Sequence, residues 1–169
     1  MVLLPMRKNK GFTLVEMMTV IAIIGILSAI AIPNMFSFAA GMKLGSASRD
    51  LYTNFQQTRM KAIRHSTRWA VRFTASGYQV ENCGADNDCA ADNTIVKTVN
   101  VSKEYPGVAI TSFPNANQLV EFNSEGTTLN SAGASTGGTT TFAATKEKSS
   151  ITVAPSGIIT IKNREKITP

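Results

Sequence analysis

The chain has 169 residues, and its 17 Lys+Arg against 11 Asp+Glu give a formal net charge of +6 at pH 7. That is one domain's length, with no room for a large multi-domain enzyme. Only 17 % of residues are charged and 43 % are apolar, which argues against a wholly disordered chain, and a single His with two Cys excludes most multi-ligand His/Cys zinc sites.

Arg7, Lys8 and Lys10 come first, and from Met17 to Met42 no residue is charged. As a helix that run spans about 39 Å at roughly 1.5 Å per residue, enough to cross a hydrocarbon core of about 30 Å. A buried helix of a soluble core would need partners on all sides, which the remaining Thr-, Ser-, Asn- and Gly-rich sequence could hardly supply. The chain therefore reads as a membrane anchor followed by a polar domain. Positive charge before the span holds that end in the cytoplasm and puts the C-terminal bulk outside. A secretory signal peptide shares this layout, with Ala29 to Ala31 as a small-x-small site, but cleavage there would discard the most distinctive segment.

Glu16 does not fit a plain anchor. A carboxylate inside a span costs about 2.5–3.5 kcal/mol on insertion scales, less near the interface. It calls for a positive partner at the same depth. The stretch Lys10-Gly11-Phe12-Thr13-Leu14-Val15-Glu16 closely resembles the prepilin N-terminus of type IV pilins and type II secretion pseudopilins. The resemblance implies that residues 1–11 are a leader, removed by a membrane prepilin peptidase that cuts between Gly11 and Phe12 and N-methylates Phe12. Glu16 then becomes the fifth residue of the mature chain. Its implied partner is the Phe12 ammonium of a neighbouring pilin, a pair that fixes assembly register because either charge alone is costly to bury. Pro33 falls where the family usually carries a helix-kinking proline, and proline does remove a helix hydrogen bond. The sequence leaves the start at Met1 or Met6.

Helical spacing continues beyond the apolar run. Leu44, Leu51, Phe55 and Ala62 recur on one face with Ala47, Tyr52 and Ile63 alongside, while Arg49, Arg59, Lys61, Arg64 and Arg68 take other faces. This predicts one helix from Phe12 to His65, with residues 12–42 as the transmembrane and assembly half and 43–68 as an amphipathic half. Gly41 and Gly45 loosen the junction. Residues 69–169 read as a β-sheet domain. Trp69, Val71 and Phe73 alternate with Ala70, Arg72 and Thr74, Ala75-Ser76-Gly77 is a turn, and Tyr78–Glu81 returns. Further strands are expected at Thr94–Val101, Val108–Ser112, Gln118–Asn123, Thr139–Ala143, Ser150–Ala154 and Gly157–Lys162, with a hairpin turn at Pro155-Ser156-Gly157 and an exposed loop over Ser131–Thr140. A helix followed by strands implies an α+β fold, the long N-terminal helix packed on a mainly antiparallel sheet.

Residues 57–64 leading into Trp69–Phe73, the Val120–Gly126 segment, and the Ile151–Val153 and Gly157–Ile161 pair resemble the GspH/FimT-like minor pilins. Cys83 and Cys89 enclose five residues in a domain expected in the oxidising periplasm, so a disulfide is expected, with a stabilisation of about 2–3 kcal/mol. Asp86, Asp88 and Asp92 leave a calcium site as the alternative, although their spacing is far from an EF-hand.

No catalytic constellation is present. His65 reads as a solvated helix-terminal residue, no Ser sits in a nucleophile elbow, and no phosphate-cradling Gly loop occurs. No cofactor and no metal are expected. DNA is a weaker candidate partner, through Arg59, Lys61, Arg64 and Arg68 and through Lys162, Arg164 and Lys166. DNA-binding members of the resembled group carry Arg after the closing-hairpin Gly, whereas Gly157 here is followed by Ile158, Ile159 and Thr160. The expectation is a minor pilin of a type IV pilus, held in the inner membrane with its domain in the periplasm and then extracted into the filament near its tip. A pseudopilin of type II secretion is the alternative, and a DNA-uptake pilin the second.

Overall fold

The computed structural model describes residues 11–84, 89, 93–114, 116, 118–129, 135–144 and 146–167, with backbone alone at 33, 34, 37 and 163. The chain divides into two compact units, residues 1–38 and 39–169.

In the first unit, helix α1 (Leu14–His65) begins. Thr13 caps it: its Oγ1 accepts the Glu16 N–H at 3.2 Å, half of a Thr-x-x-Glu capping box. From Leu14 to Ile32 the mean hydropathy is 2.4 and none of the stretch is buried. Leu14, Ile21, Ile26 and Ile30 all face outward. A helix apolar on every side requires an apolar environment.

In the second unit, residues 39–65 of α1 supply the spine of the core. Leu44, Ala47, Leu51, Phe55 and Ala62 are fully or almost fully buried, as the spacing predicts, and Tyr52 packs against them. Ile63, expected on the same face, is 40 % exposed. The inner face also carries polar residues. Ser48, Asn54 and Thr58 are buried, and Ser48 and Thr58 donate their hydroxyls to the helix carbonyls of Leu44 and Asn54. Ser66, at φ 52°, ends the helix.

The strands are β1 (Trp69–Thr74), β2 (Gly77–Asn82), β3 (Thr94–Asn100), β4 (Ala109–Ser112), β5 (Leu119–Phe122), β6 (Thr128–Leu129), β7 (Gly138–Ala144), β8 (Glu147–Val153) and β9 (Ile159–Lys166), with a short helix α2 (Val101–Glu104) after β3. They form two sheets, ordered β3-β2-β1-β5-β6 and β4-β7-β8-β9, and every pairing is antiparallel. Both sheets close on α1. Phe55 of the helix meets Phe73 and Phe122 of the first sheet at 6.2 Å between ring centres. Phe142, Ile151, Val153 and Ile159 of the second sheet enter the same core. Each such side chain contributes about 1.5–3 kcal/mol on full burial.

Other sequence expectations change as well. Val101, expected to end a strand, starts α2, because Asn100 turns the chain and caps the helix by accepting the Lys103 N–H at 3.0 Å. The expected loop over 131–140 gives up Gly138, Thr139 and Thr140 to β7, and 131–134 lie outside the described residues. Gly157 lies in the expected Pro155-Ser156-Gly157 turn at φ 77°, two residues before the last strand opens at Ile159, and its Cα packs under the Gly126 carbonyl so closely that a Cβ would collide with it.

Candidate functional site

The N-terminal site is built by the first turn of α1. Phe12 is 75 % exposed, Glu16 is exposed on the first turn, and no described cation lies within 4.0 Å of that carboxylate. The helix N-terminus itself favours a nearby anion. Pro33 lies within α1. Gly11 precedes the helix in irregular backbone.

The second feature is the disulfide Cys83–Cys89, which closes a loop at the end of β2. Asp86, Asp88 and Asp92, the calcium alternative, lie outside the described residues. Among the described residues no group of three His, Cys, Asp or Glu side chains is arranged to hold a metal. The disulfide lies over the outer face of the first sheet. There Ala70 is directly opposite Glu81 on one side and Glu121 on the other. Both carboxylates are buried, and Ala70, Cys83, Cys89 and Leu119 form a second small core around them.

Each carboxylate has a guanidinium. Arg72 Nε donates to both Glu81 oxygens at 2.8 and 3.0 Å, and its Nη2 donates to the Cys89 carbonyl at 2.7 Å. Asn93 donates to Glu81 at 2.7 Å. Arg68 lies 4.0 Å from Glu121. Sequence reading put Glu81 and Glu121 in strands and gave neither a role. The signal that would have found them is the matching parity of Arg68, Ala70 and Arg72, which points two guanidiniums at the face where both glutamates lie.

A third polar cluster joins α1 to the first sheet. The Tyr78 hydroxyl donates to Asp50 Oδ2 at 2.5 Å and accepts from Asn54 Nδ2 at 2.8 Å, while Lys97 donates to Asn54 Oδ1 at 2.9 Å. Burial, reinforced by the Asp50 carboxylate, pushes the Tyr78 phenol well above its ordinary value. The Tyr105 phenol is raised for the same two reasons in the same order.

The two basic clusters expected from sequence do not come together. Arg59 Nε donates to the Gly126 carbonyl at 2.9 Å, Lys61 Nζ sits 5.0 Å from the centre of the Trp69 ring, and Arg68 faces Glu121. Of that group Arg64 is exposed. Lys162 and Arg164 pair with Glu165 and Glu147 at 3.7 and 3.6 Å, and Lys166 is exposed. All three basic residues belong to β9, which runs four residues beyond the expected end of the strand at Lys162. Gly41 of α1 packs beside Arg164 and Glu147, whereas Gly157 and Gly126 pack beside Arg59. The clusters therefore sit at opposite ends of the contact between α1 and the second sheet.

The sequence profile of the prokaryotic N-terminal methylation motif matches residues 6–32. That of the type II transport protein GspH family matches residues 47–157, most of the chain. The chain belongs to the GspH family. This GspH-family chain is 57 % identical over 44 residues to the type IV major pilin protein PilA of Myxococcus xanthus, covering 26 % of this chain and 20 % of that one. It is 60 % identical over 35 residues to a fimbrial protein of Pseudomonas aeruginosa, covering 21 % and 23 %. The match thus spans about a fifth of the curated relatives' length. The crystal structure of the type IV minor pilin FimU of Pseudomonas aeruginosa superposes with a TM-score of 0.55 at 13 % identity, over 74 % of this chain and 92 % of that one. The GspH-family chain has the pilin-like fold: an apolar N-terminal helix continued into a helix packed on antiparallel sheets.

Proposed function

We propose that this GspH-family chain is a minor pilin of a type IV pilus, a structural subunit without catalytic chemistry. Prepilin peptidase removes residues 1–11 by cutting between Gly11 and Phe12 and methylates the Phe12 amine. The apolar helix holds the product in the inner membrane, with the sheet domain in the periplasm. On assembly the helix leaves lipid for a bundle of other pilin helices, so its apolar faces stay out of water in both states. Register comes from the Glu16 carboxylate and the Phe12 ammonium of a neighbouring subunit, and Pro33 bends the helix as it packs. The domain takes part in filament initiation, near the tip.

The observation that carries this reading is Glu16 itself. It is an exposed carboxylate on an unburied apolar helix, and no described cation lies within 4.0 Å of it. A charge left so in a bilayer or bundle is costly unless a partner from another chain neutralises it. The test is incorporation of Glu16→Ala into filaments, with mass spectrometry of the native product. The parent is expected to start at N-methylated Phe12 and the variant to be lost from filaments. A variant that enters filaments like the parent ends the register role.

A pseudopilin of type II secretion is the second reading, favoured by the description of the family that covers residues 47–157. DNA uptake draws less support, because Arg59, Lys61 and Arg68 are engaged within the fold and lie apart from Lys162, Arg164 and Lys166.

A further inference from the structure

One charged surface has no part in the readings above. Lys146 lies in the β7–β8 turn, Lys148 at the start of β8, and Arg164 and Lys166 at the end of β9. Strand register brings them to one end of the second sheet: Glu147 is opposite Lys166, Lys148 is opposite Glu165, and the Ile167 N–H donates to the Lys146 carbonyl at 3.0 Å. Arg49 of α1 joins them across an open cleft of about 480 Å³ that Gly45, Ser46 and Arg164 also line. The two acids at this end are already engaged, Glu147 with Arg164 and Glu165 with Lys162. Arg49, Lys146, Lys148 and Lys166 are exposed, with no described carboxylate within 4.0 Å.

The position of this surface along the chain is as informative as its charge. A Cβ on Gly41 would lie 2.5 Å from Arg164 Nη1 and 2.8 Å from Glu147 Oε2, so the basic end meets α1 where α1 enters the domain. Ile32 closes the span-length apolar stretch. Even fully extended, the chain from Ile32 to Gly41 reaches at most about 30 Å. A bilayer holding the apolar helix is thus permanently within reach of this end, at the high effective concentration that tethering gives. Basic groups near an anionic membrane surface are attracted over roughly a Debye length of about 8 Å at physiological salt. Lysines on an edge strand also discourage strand pairing, which accounts for Lys162 and Lys166 on β9. It does not account for Lys146 in a turn or Lys148 on the inner strand β8.

We infer that this basic end is a docking surface for the anionic phospholipid headgroups of the membrane that holds the chain's own helix, seating the domain on the bilayer before assembly. The inference rests on the anchor reading above. Phosphodiester headgroups fit a surface of spread ammonium and guanidinium groups, and aromatic side chains for stacking bases are missing from the described residues that line it.

The experiment is amide hydrogen exchange on the full-length chain in lipid nanodiscs, either purely phosphatidylcholine or containing phosphatidylglycerol. Residues 146–149 and 162–167 are expected to exchange several-fold more slowly on the anionic discs, with the difference removed by high salt. The triple variant Lys146→Gln/Lys148→Gln/Lys166→Gln is expected to lose that protection while residues 69–73 and 119–122 exchange as in the parent, which reports that it is folded. Equal exchange on both discs overturns the inference, as does protection that survives in the triple variant. So does protection on phosphatidylcholine discs brought about by glycerol phosphate alone, or by duplex DNA where the anionic discs give none. A chain that enters neither disc overturns the anchor reading and this inference together, whereas one that enters both with equal exchange overturns only the inference.

Discussion

The Tyr78 hydroxyl donates to Asp50 Oδ2 at 2.5 Å and so ties β2 to α1 from inside the core. Asn54, on the next turn of the helix, donates to the same hydroxyl at 2.8 Å and also to the Asp50 carbonyl. One phenol thus holds the helix at a fixed rotation over the first sheet.

Tyr78→Phe removes the donor to Asp50 and is expected to cost about 2 kcal/mol in the unfolding of the detergent-solubilised chain at neutral pH. The effect is pH-dependent, with a definite sign. Burial raises the folded-state value of this phenol above its ordinary 10.0, so the folded state keeps the proton that the unfolded chain releases. The contribution is complete below about pH 10 and falls as pH rises further. Melting temperatures of parent and variant are expected to converge as pH rises from about 10 to about 12. A gap that widens over that interval contradicts the assignment.

Arg72→Ala leaves Glu81 buried with Asn93 as its remaining side-chain donor among the described residues and also removes a donor from the Cys89 carbonyl. Breaking a buried pair from one side costs about 3–5 kcal/mol, here toward the lower end because the Arg72 side chain is 32 % exposed. Replacing Arg72 and Glu81 together by Met and Leu is expected to cost less than Arg72→Ala alone. Denaturant midpoints for the single and double variants measure this.

Cys83→Ser/Cys89→Ser, or reduction, is expected to lower stability by about 2 kcal/mol from loop entropy. Because Arg72 reaches the Cys89 carbonyl, the same change should also loosen the Arg72–Glu81 pair. Hydrogen exchange at Glu81 and Asn82 is expected to accelerate on reduction, while that at Phe142 and Ile151 in the second sheet is not.

Gly157→Ala places a Cβ at φ 77° against the Gly126 carbonyl and beside Arg59. The backbone strain alone costs about 1–2 kcal/mol, and the clash with a main-chain oxygen adds to it. The two sheets are joined at this point, since Thr128 donates its N–H to the Pro155 carbonyl at 3.1 Å. Loss of at least about 2 kcal/mol is expected in thermal unfolding, whereas Gly45→Ala, in the helix interior where a Cβ meets nothing, is expected to gain up to about 1 kcal/mol.

Sequence patterning was informative where burial is one-sided. The Leu44, Leu51, Phe55 and Ala62 stripe lines the core, and the Trp69, Val71 and Phe73 alternation is β1. It failed where cover comes from distant chain. Ala70 is buried because the Cys83–Cys89 disulfide packs on it, and Glu81 and Glu121 are buried with it, although a carboxylate on a strand ordinarily faces water. The two-residue β6 is too short for any period, and its partners come from β5 and from the turn at Pro155. The motif around Gly11, Phe12 and Glu16 can be picked out in the sequence because those residues lie within six positions of one another, and the roles proposed for them follow from that local chemistry. The separation of the two basic clusters was not legible, because it depends on β9 lying antiparallel to β8 beside Gly41.

Leu44, Leu51 and Phe55 fill the centre of the domain, and they lie on the helix that leads back toward residue 38. A pull on residues 39–65 is therefore delivered as shear along the packed interior, loading many contacts in parallel instead of unzipping them one by one. Drawing that segment out of the domain means rupturing its centre.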